Sequence, residues 1–239
     1  MRSASRHTSP PKPVQPETQR TLVNGERMSQ AEFHRRYQAY SEDEKWELIG
    51  GTVYMASPLC WPHGLYHVDL AGVLWWYTSQ TPGVEAGDNA TAILGEESEP
   101  QPDLALRIKA EYGGRSSLDS DQYVVGPSEL IAEIAHSSRG IDLYGKRDDY
   151  QKAGVVEYLV LLIEEKQLRW THFPSGRPIK ANREGVFRSR IFPCLWLNGP
   201  ALLARDTPTV MATLQRGLSS TVHARFVRRL QTAFRRHAT

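Results

Sequence analysis

Apolar positions recur along this chain in two rhythms, and the switches between them outline the elements. Ser29 and Glu32 have the spacing of a helix capping box, and Phe33, Tyr37 and Tyr40 then fall on one helical face. Residues 47–49 and 52–55 flank Gly50-Gly51, the sequence of a tight hairpin. Residues 62–79 carry Leu65, Val68, Gly72, Leu74, Trp75 and Trp76 at spacings that predict a buried helix, ended by Thr81-Pro82-Gly83. Short strands are predicted around Val84-Glu85 and over 91–94, 103–108 and 130–134, with a polar, glycine-containing loop over 111–126. Residues 142–153 read as a helix with Gly154 as its C-terminal cap. Residues 155–163 and 167–172 then form a hairpin turned at Glu164-Glu165-Lys166, and 188–192 and 195–197 read as edge strands. From Pro200 the chain turns helical again. Strands interspersed with helices and hairpins, with no internal repeat, predict an α/β fold: a mixed sheet in one domain.

Composition narrows this picture. The chain has 239 residues, 40% hydrophobic and 23% charged, with a net charge of +2, values of an ordinary globular protein. Residues 1–27, with Pro10, Pro11, Pro13 and Pro16 among polar neighbours, read as a disordered tail with order beginning at Ser29. The tail has no apolar stretch of the kind a secretory signal needs, and no run of about 18 apolar residues exists to span a membrane. Cys60 and Cys194 are the only cysteines and form no CxxC pair, which argues against a cysteine-based zinc site or a disulfide framework and for a cytoplasmic protein. Arg216, Arg225, Arg228, Arg229, Arg235 and Arg236 make the last stretch basic, a solvated face or a surface for nucleic-acid phosphates.

The chemistry is concentrated in three acids and a lysine. Glu47, Asp103 and Glu133 each lie in or beside an apolar run, and Lys146 follows in the next helix. A carboxylate in a strand of Leu, Ile and Ala needs a cation, because an unpaired buried charge costs several kcal/mol or more. Strand alternation puts Glu133 on the face of Ile131 rather than Ala132. Simpler readings exist for three of the four residues: Asp103 as the cap of a strand end or turn, Lys146 in a surface pair with Asp142, and Glu47 paired with Lys45 or capping the hairpin. His63 reads as a capping or packing residue. His67 could join it as an i, i+4 pair, but nothing nearby completes a zinc site, and neither histidine is assigned to the metal. No GxSxG, Walker-type GK[ST] or strand-following GxGxxG is present, which removes serine-nucleophile and phosphate-loop chemistry.

The words Glu47-Leu48-Ile49-Gly50-Gly51, His63, Pro102-Asp103, Ala132-Glu133-Ile134 and Asp142…Lys146…Tyr150…Gly154-Val155…Glu157-Tyr158 occur in order. Together they resemble the Uma-two family of restriction-endonuclease-like proteins, a branch of the PD-(D/E)xK nuclease superfamily. The resemblance covers 28–203 and leaves 204–239 as a basic helical extension. It implies a restriction-endonuclease-like core with flanking helices, Mg²⁺- or Mn²⁺-dependent hydrolysis of DNA, and a homodimer. By it, Asp103, Glu133 and Glu47 bind the metal with the carbonyl of Ile134, and Lys146 orients the attacking water. The sequence departs from the pattern at Ala135, where the motif has lysine, and at His136-Ser137, where Ser-Pro is common. Rival readings are a non-catalytic nucleic-acid-binding or interaction protein of the same fold, or a structural partner in a defence or mobile-element system.

Overall fold

A computed structural model describes residues 21–41, 44–136 and 139–237. The first twenty residues of the expected tail, and Ser137, lie outside the described residues. Order nevertheless begins before Ser29. Leu22 is buried with Phe33, Trp46, Leu48 and Val53, and the Gly25 N–H donates to the Val53 carbonyl at 2.8 Å. One leucine in a polar run gives no periodicity, so this anchoring is invisible to pattern reading.

Helix α1 (Gln30–Tyr37) is capped by the Ser29 side chain, which accepts from the Glu32 N–H. The reciprocal half of the capping box does not form, because the Glu32 carboxylate turns to Arg35 and Arg36 instead. Strands β1 (Trp46–Ile49) and β2 (Thr52–Met55) pair antiparallel about Gly50 and Gly51, both at positive φ, as a two-residue turn requires. Helix α2 (Trp61–Ser79) buries Leu70, Val73, Leu74 and Tyr77. Trp75, expected in the core, is 64% exposed. Successive helical residues point about 100° apart, so a core face holding Leu74 and Tyr77 turns Trp75 outward.

Strands β3 (Val84–Asp88), β4 (Ala92–Ile93), β5 (Leu104–Ile108), β6 (Ser117–Leu118), β7 (Val124–Val125) and β8 (Leu130–Ala135) follow. The short β4, β6 and β7 make a small sheet of their own, so the polar loop is partly strand. A π-helical turn (Ile141–Gly145) then leads into α3 (Lys146–Ala153), which ends at Gly154 with φ +92°. The chain continues through β9 (Glu157–Leu162), β10 (Gln167–His172), β11 (Arg177–Pro178), β12 (Val186–Arg188), β13 (Trp196–Asn198), α4 (Gly199–Leu203), α5 (Thr207–Leu218) and α6 (Thr221–His237). The main sheet has the order β11-β10-β9-β8-β5-β3, with β8 and β9 parallel and joined through α3. Every residue of β8 and β9 is buried, the mark of strands covered on both faces. The fold is thus mixed α/β, with a flanking layer on each side.

The two faces divide β8 by alternation. Leu130, Ala132 and Ile134 meet α2 and the C-terminal helices, whereas Ile131 and Ala135 pack with Tyr150 and Tyr158 on the α3 side. Val210, Leu214, Leu218, Phe226 and Leu230 belong to the first of these clusters. The stretch read as an extension therefore completes the core. The predicted edge strands are also displaced: among the described residues β12 pairs only with β13, in a separate ribbon. Among the described residues, no helix is long and apolar enough to cross a membrane.

Candidate active site

Register places two of the acids side by side. Leu104 pairs with Ala132 in the antiparallel β5–β8 ladder, and one step further out Asp103 stands opposite Glu133. There the side chains take over the ladder. The Asp103 N–H donates to Glu133 Oε2 at 3.2 Å, and the Ile134 N–H donates to Asp103 Oδ2 at 2.7 Å. Ile134, expected as a carbonyl ligand, thus meets Asp103 through its N–H.

The hairpin and α3 supply the rest. Asp149 Oδ2 accepts from the Gly50 N–H at 2.7 Å, which docks the β1–β2 turn against the first turn of α3. A Cβ on Gly145 would come within 3.2 Å of Ile49 Cγ2, so the approach is close. This contact carries Glu47 and Lys146 to one point. Lys146 Nζ lies 2.8 Å from Glu47 Oε1, 3.1 Å from Glu133 Oε1 and 3.9 Å from Asp142 Oδ1. The surface pair with Asp142 is corrected by burial: lysine and aspartate are both buried, and the nearer partners are the two glutamates. Glu47 also accepts from the Gln101 N–H at 2.7 Å, so Lys45 is not its partner. Tyr150, one turn beyond Lys146, donates to Glu133 Oε1 at 2.7 Å, and Tyr158 donates to the Asp142 carbonyl at 2.8 Å. All four predicted polar residues line one cavity of about 390 Å³, together with His63 and Gln101. A groove of about 540 Å³ over β3 is larger, but its lining charges Glu85 and Arg107 pair with each other at 2.7 Å.

Charge is unbalanced here. Four carboxylates (Glu47, Asp103, Glu133 and Asp142) gather near the buried Lys146 ammonium, with the exposed Lys45 as the other lysine lining the cavity. Burial pushes Glu133 well above the usual carboxylate range; Lys146 opposes this, and Asp103, Asp142 and Glu47 add to it. Burial would raise Asp103 too, but His63, the Ile134 N–H and Lys146 together hold it below its ordinary value. Burial alone would lower Lys146, yet Glu133, Glu47 and Asp142 outweigh it, so the ammonium stays charged.

This region falls inside a family match. Residues 30–198 match the Uma2 family, described as "Putative restriction endonuclease". The chain belongs to the Uma2 family. Among solved structures it is similar to "a putative nuclease belonging to DUF820 from Anabaena variabilis", with a TM-score of 0.60 and 12% identity over 74% of this chain and 98% of that one. At that identity the likeness speaks for the fold. A search of curated proteins finds no match.

The departure from the motif lysine has a structural counterpart in this Uma2 chain. Ala135 is buried among Ile131, Tyr150, Val160 and Leu162, an apolar site with no place for an amine. Lys146 brings an amine to Glu133 from α3 instead. Sequence reasoning missed His63 as a site residue. It is buried, and its Nε2 sits 3.3 Å from Asp103 Oδ2. Its spacing from His67 was the available signal, but the aspartate that joins them is forty positions away. The arginines of α6 are exposed, and α6 packs beside Ala110–Tyr112, beyond the end of β5 remote from Asp103. Five strand residues span about 17 Å, so these arginines are not part of the cavity.

The donor set fits a hard divalent ion. Its atoms are carboxylate oxygens, and Asp103 Oδ1 and Glu47 Oε2 accept no hydrogen bond among the described residues. A carboxyl with a raised folded pKa contributes stability in acid that is lost as pH rises through that pKa. Glu133 therefore costs the metal-free protein stability above the ordinary carboxylate range. A bound cation offsets that cost. Mn²⁺ is expected to raise the melting temperature more at about pH 8 than at about pH 5.5, read by scanning fluorimetry. Equal shifts at both values would contradict the charge imbalance.

Proposed function

We propose that this Uma2 protein is a Mg²⁺- or Mn²⁺-dependent endonuclease that hydrolyses phosphodiester bonds of DNA. The observation that carries the reading is the amine of Lys146, 3.1 Å from Glu133 and 2.8 Å from Glu47, supplied from a helix where the motif lysine is replaced by Ala135. Asp103, Glu133 and Glu47, with the Ile134 carbonyl, would hold the ion. When bound there it supplies Lewis acidity toward water and phosphoryl oxygen.

The chain's own residues do the rest. Lys146 stays protonated, so it positions a water by hydrogen bonding and stabilises the negative charge that develops on the phosphorane oxygens. Tyr150 fixes the Glu133 carboxylate by donating to Oε1, and the Ile134 N–H fixes Asp103. The Gln101 N–H does the same for Glu47. Each acid is thereby oriented before any ligand arrives, which removes a reorganisation cost from the reaction. Cys60 and Cys194 are free thiols, in keeping with action in a reducing cytoplasm, and a homodimer belongs to the same reading.

Supercoiled plasmid with Mg²⁺ or Mn²⁺ is the substrate for the test. Nicking is expected with either ion, none in excess chelator, and a loss of about 100-fold or more in Glu133→Gln. Cleavage unchanged in that variant would sink the proposal. Tight DNA binding without cleavage by the unmodified chain would favour the non-catalytic relative.

A further inference from the structure

We propose that His63, His67 and Asp103 form a second ion site beside the carboxylate cluster, suited to a borderline transition metal such as Zn²⁺ or Co²⁺ rather than to Mg²⁺. His63 and His67 stand one turn apart on α2, with ring centroids 5.8 Å apart. A ligand atom from each of the two histidines and from Asp103 lies within 4.8 Å of the other two. Ligands of a tetrahedral zinc ion stand roughly 3.4 Å apart, so side-chain rotations of modest size close the set.

Two further features point to a ligand. His63 is buried and its Nδ1 has no hydrogen-bond partner among the described residues, while its Nε2 reaches Asp103 only at 3.3 Å, longer than a good N–H···O bond. A buried imidazole so weakly satisfied is costly unless something else engages it. His67 is held through Nε2 by Asp88 Oδ1 at 2.7 Å, the carboxylate–histidine support that metal-bound imidazoles commonly keep. Two nitrogens and one oxygen favour Zn²⁺ or Co²⁺, whereas Mg²⁺ takes oxygen ligands and water. His63 and Asp103 both line the cavity, which leaves it as the open side of the site.

The site shares Asp103 with the nuclease reading but does not rest on it, so the test turns on His67, which that reading does not use. Full-length protein stripped of metal is titrated with Co²⁺. The expected result is the visible absorption of a four- or five-coordinate site containing nitrogen, saturating at one equivalent, displaced by Zn²⁺ and insensitive to excess Mg²⁺. His67→Ala abolishes that absorption, Asp88→Asn weakens Co²⁺ binding by about 10–100-fold, and Glu133→Gln retains the absorption. His67→Gln serves if the alanine variant does not fold, judged by circular dichroism. No visible absorption in the unmodified protein overturns the proposal. So does the same absorption in the His67 variants, which would place Co²⁺ elsewhere on the chain. Plasmid nicking with Mg²⁺ reads the carboxylate cluster separately, so either assignment can fail alone.

Discussion

Lys146→Met is expected to slow Mg²⁺-supported plasmid cleavage by about 100–1000-fold, the usual cost of losing one preorganised group that stabilises developing charge. Methionine keeps the length of the side chain and removes only the ammonium. The amine is wedged between Glu47 Oε1 at 2.8 Å and Glu133 Oε1 at 3.1 Å, and no other lysine or arginine is paired with either acid among the described residues. Stability should fall as well. Removing one partner from a buried ion cluster typically costs about 3–5 kcal/mol. Here the loss should come out smaller, because Glu133 is already displaced toward its neutral form and takes up a proton once the cation is gone. Lys146→Arg should rescue little: a planar guanidinium is wider than an ammonium and does not reproduce one donor point 2.8 Å from Glu47 Oε1 and 3.1 Å from Glu133 Oε1. Initial nicking rates and melting curves on the same preparations separate the two losses. A Lys146→Met protein that cuts at the unmodified rate would remove the amine from the chemistry. The double change Lys146→Met with Glu133→Gln should cost little more than either alone, since both disable one unit.

The sequence made some of this arrangement legible, and the reason differs residue by residue. Glu133 stood out because a buried charge inside Leu130–Ala135 must be paired or metal-bound, and alternation put it on the face of Ile131, which the structure packs on the α3 side. Gly50-Gly51 announced the hairpin because only that turn needs two residues at positive φ. Lys146 was readable only through the family resemblance; taken alone, its spacing from Asp142 pointed to the surface. What escaped were contacts set by packing between elements distant in sequence. His63 against Asp103 and Tyr150 against Glu133 follow from how α2 and α3 lie on the sheet, which local periodicity does not encode. Trp75 was misplaced because an aromatic pair in a helix can present only one member to a single core. The ribbon of β12 and β13 was misplaced for another reason. The N–H groups of Arg190 and Ile191 are taken by a side-chain carboxylate rather than by a strand partner, so a run read as a strand becomes a turn.

That carboxylate is Glu157, and Glu157→Ala is expected to destabilise the protein by about 4 kcal/mol, a drop of roughly 8–16 °C in melting temperature for a chain of this size. Glu157 opens β9 with none of its surface exposed. It accepts from Trp170 Nε1 at 3.0 Å, Ser189 Oγ at 2.8 Å, and the Arg190 and Ile191 N–H groups at 2.6 and 3.1 Å. Truncation strands four donors at once, of which Trp170 Nε1 and Ser189 Oγ are buried and cost about 1–3 kcal/mol each if water does not replace the carboxylate, while the part-buried Arg190 and Ile191 N–H groups cost less. Glu157→Gln keeps one acceptor oxygen and should lose less. Its pH dependence identifies the cause. Burial pushes the Glu157 carboxyl above its ordinary value, with the four donors opposing it, so its contribution is largest in acid and declines as pH rises through the folded pKa. Glutamine has no such titration, so the gap between wild type and Glu157→Gln should narrow from about pH 5 to about pH 8. Cleavage per folded molecule should be unchanged in that variant, because it is Val160, three residues further along β9, that pairs with Glu133. A Glu157→Ala protein that melts with the wild type would mean that water satisfies these donors and that the carboxylate is not what holds β9, β10 and the 189–191 turn together.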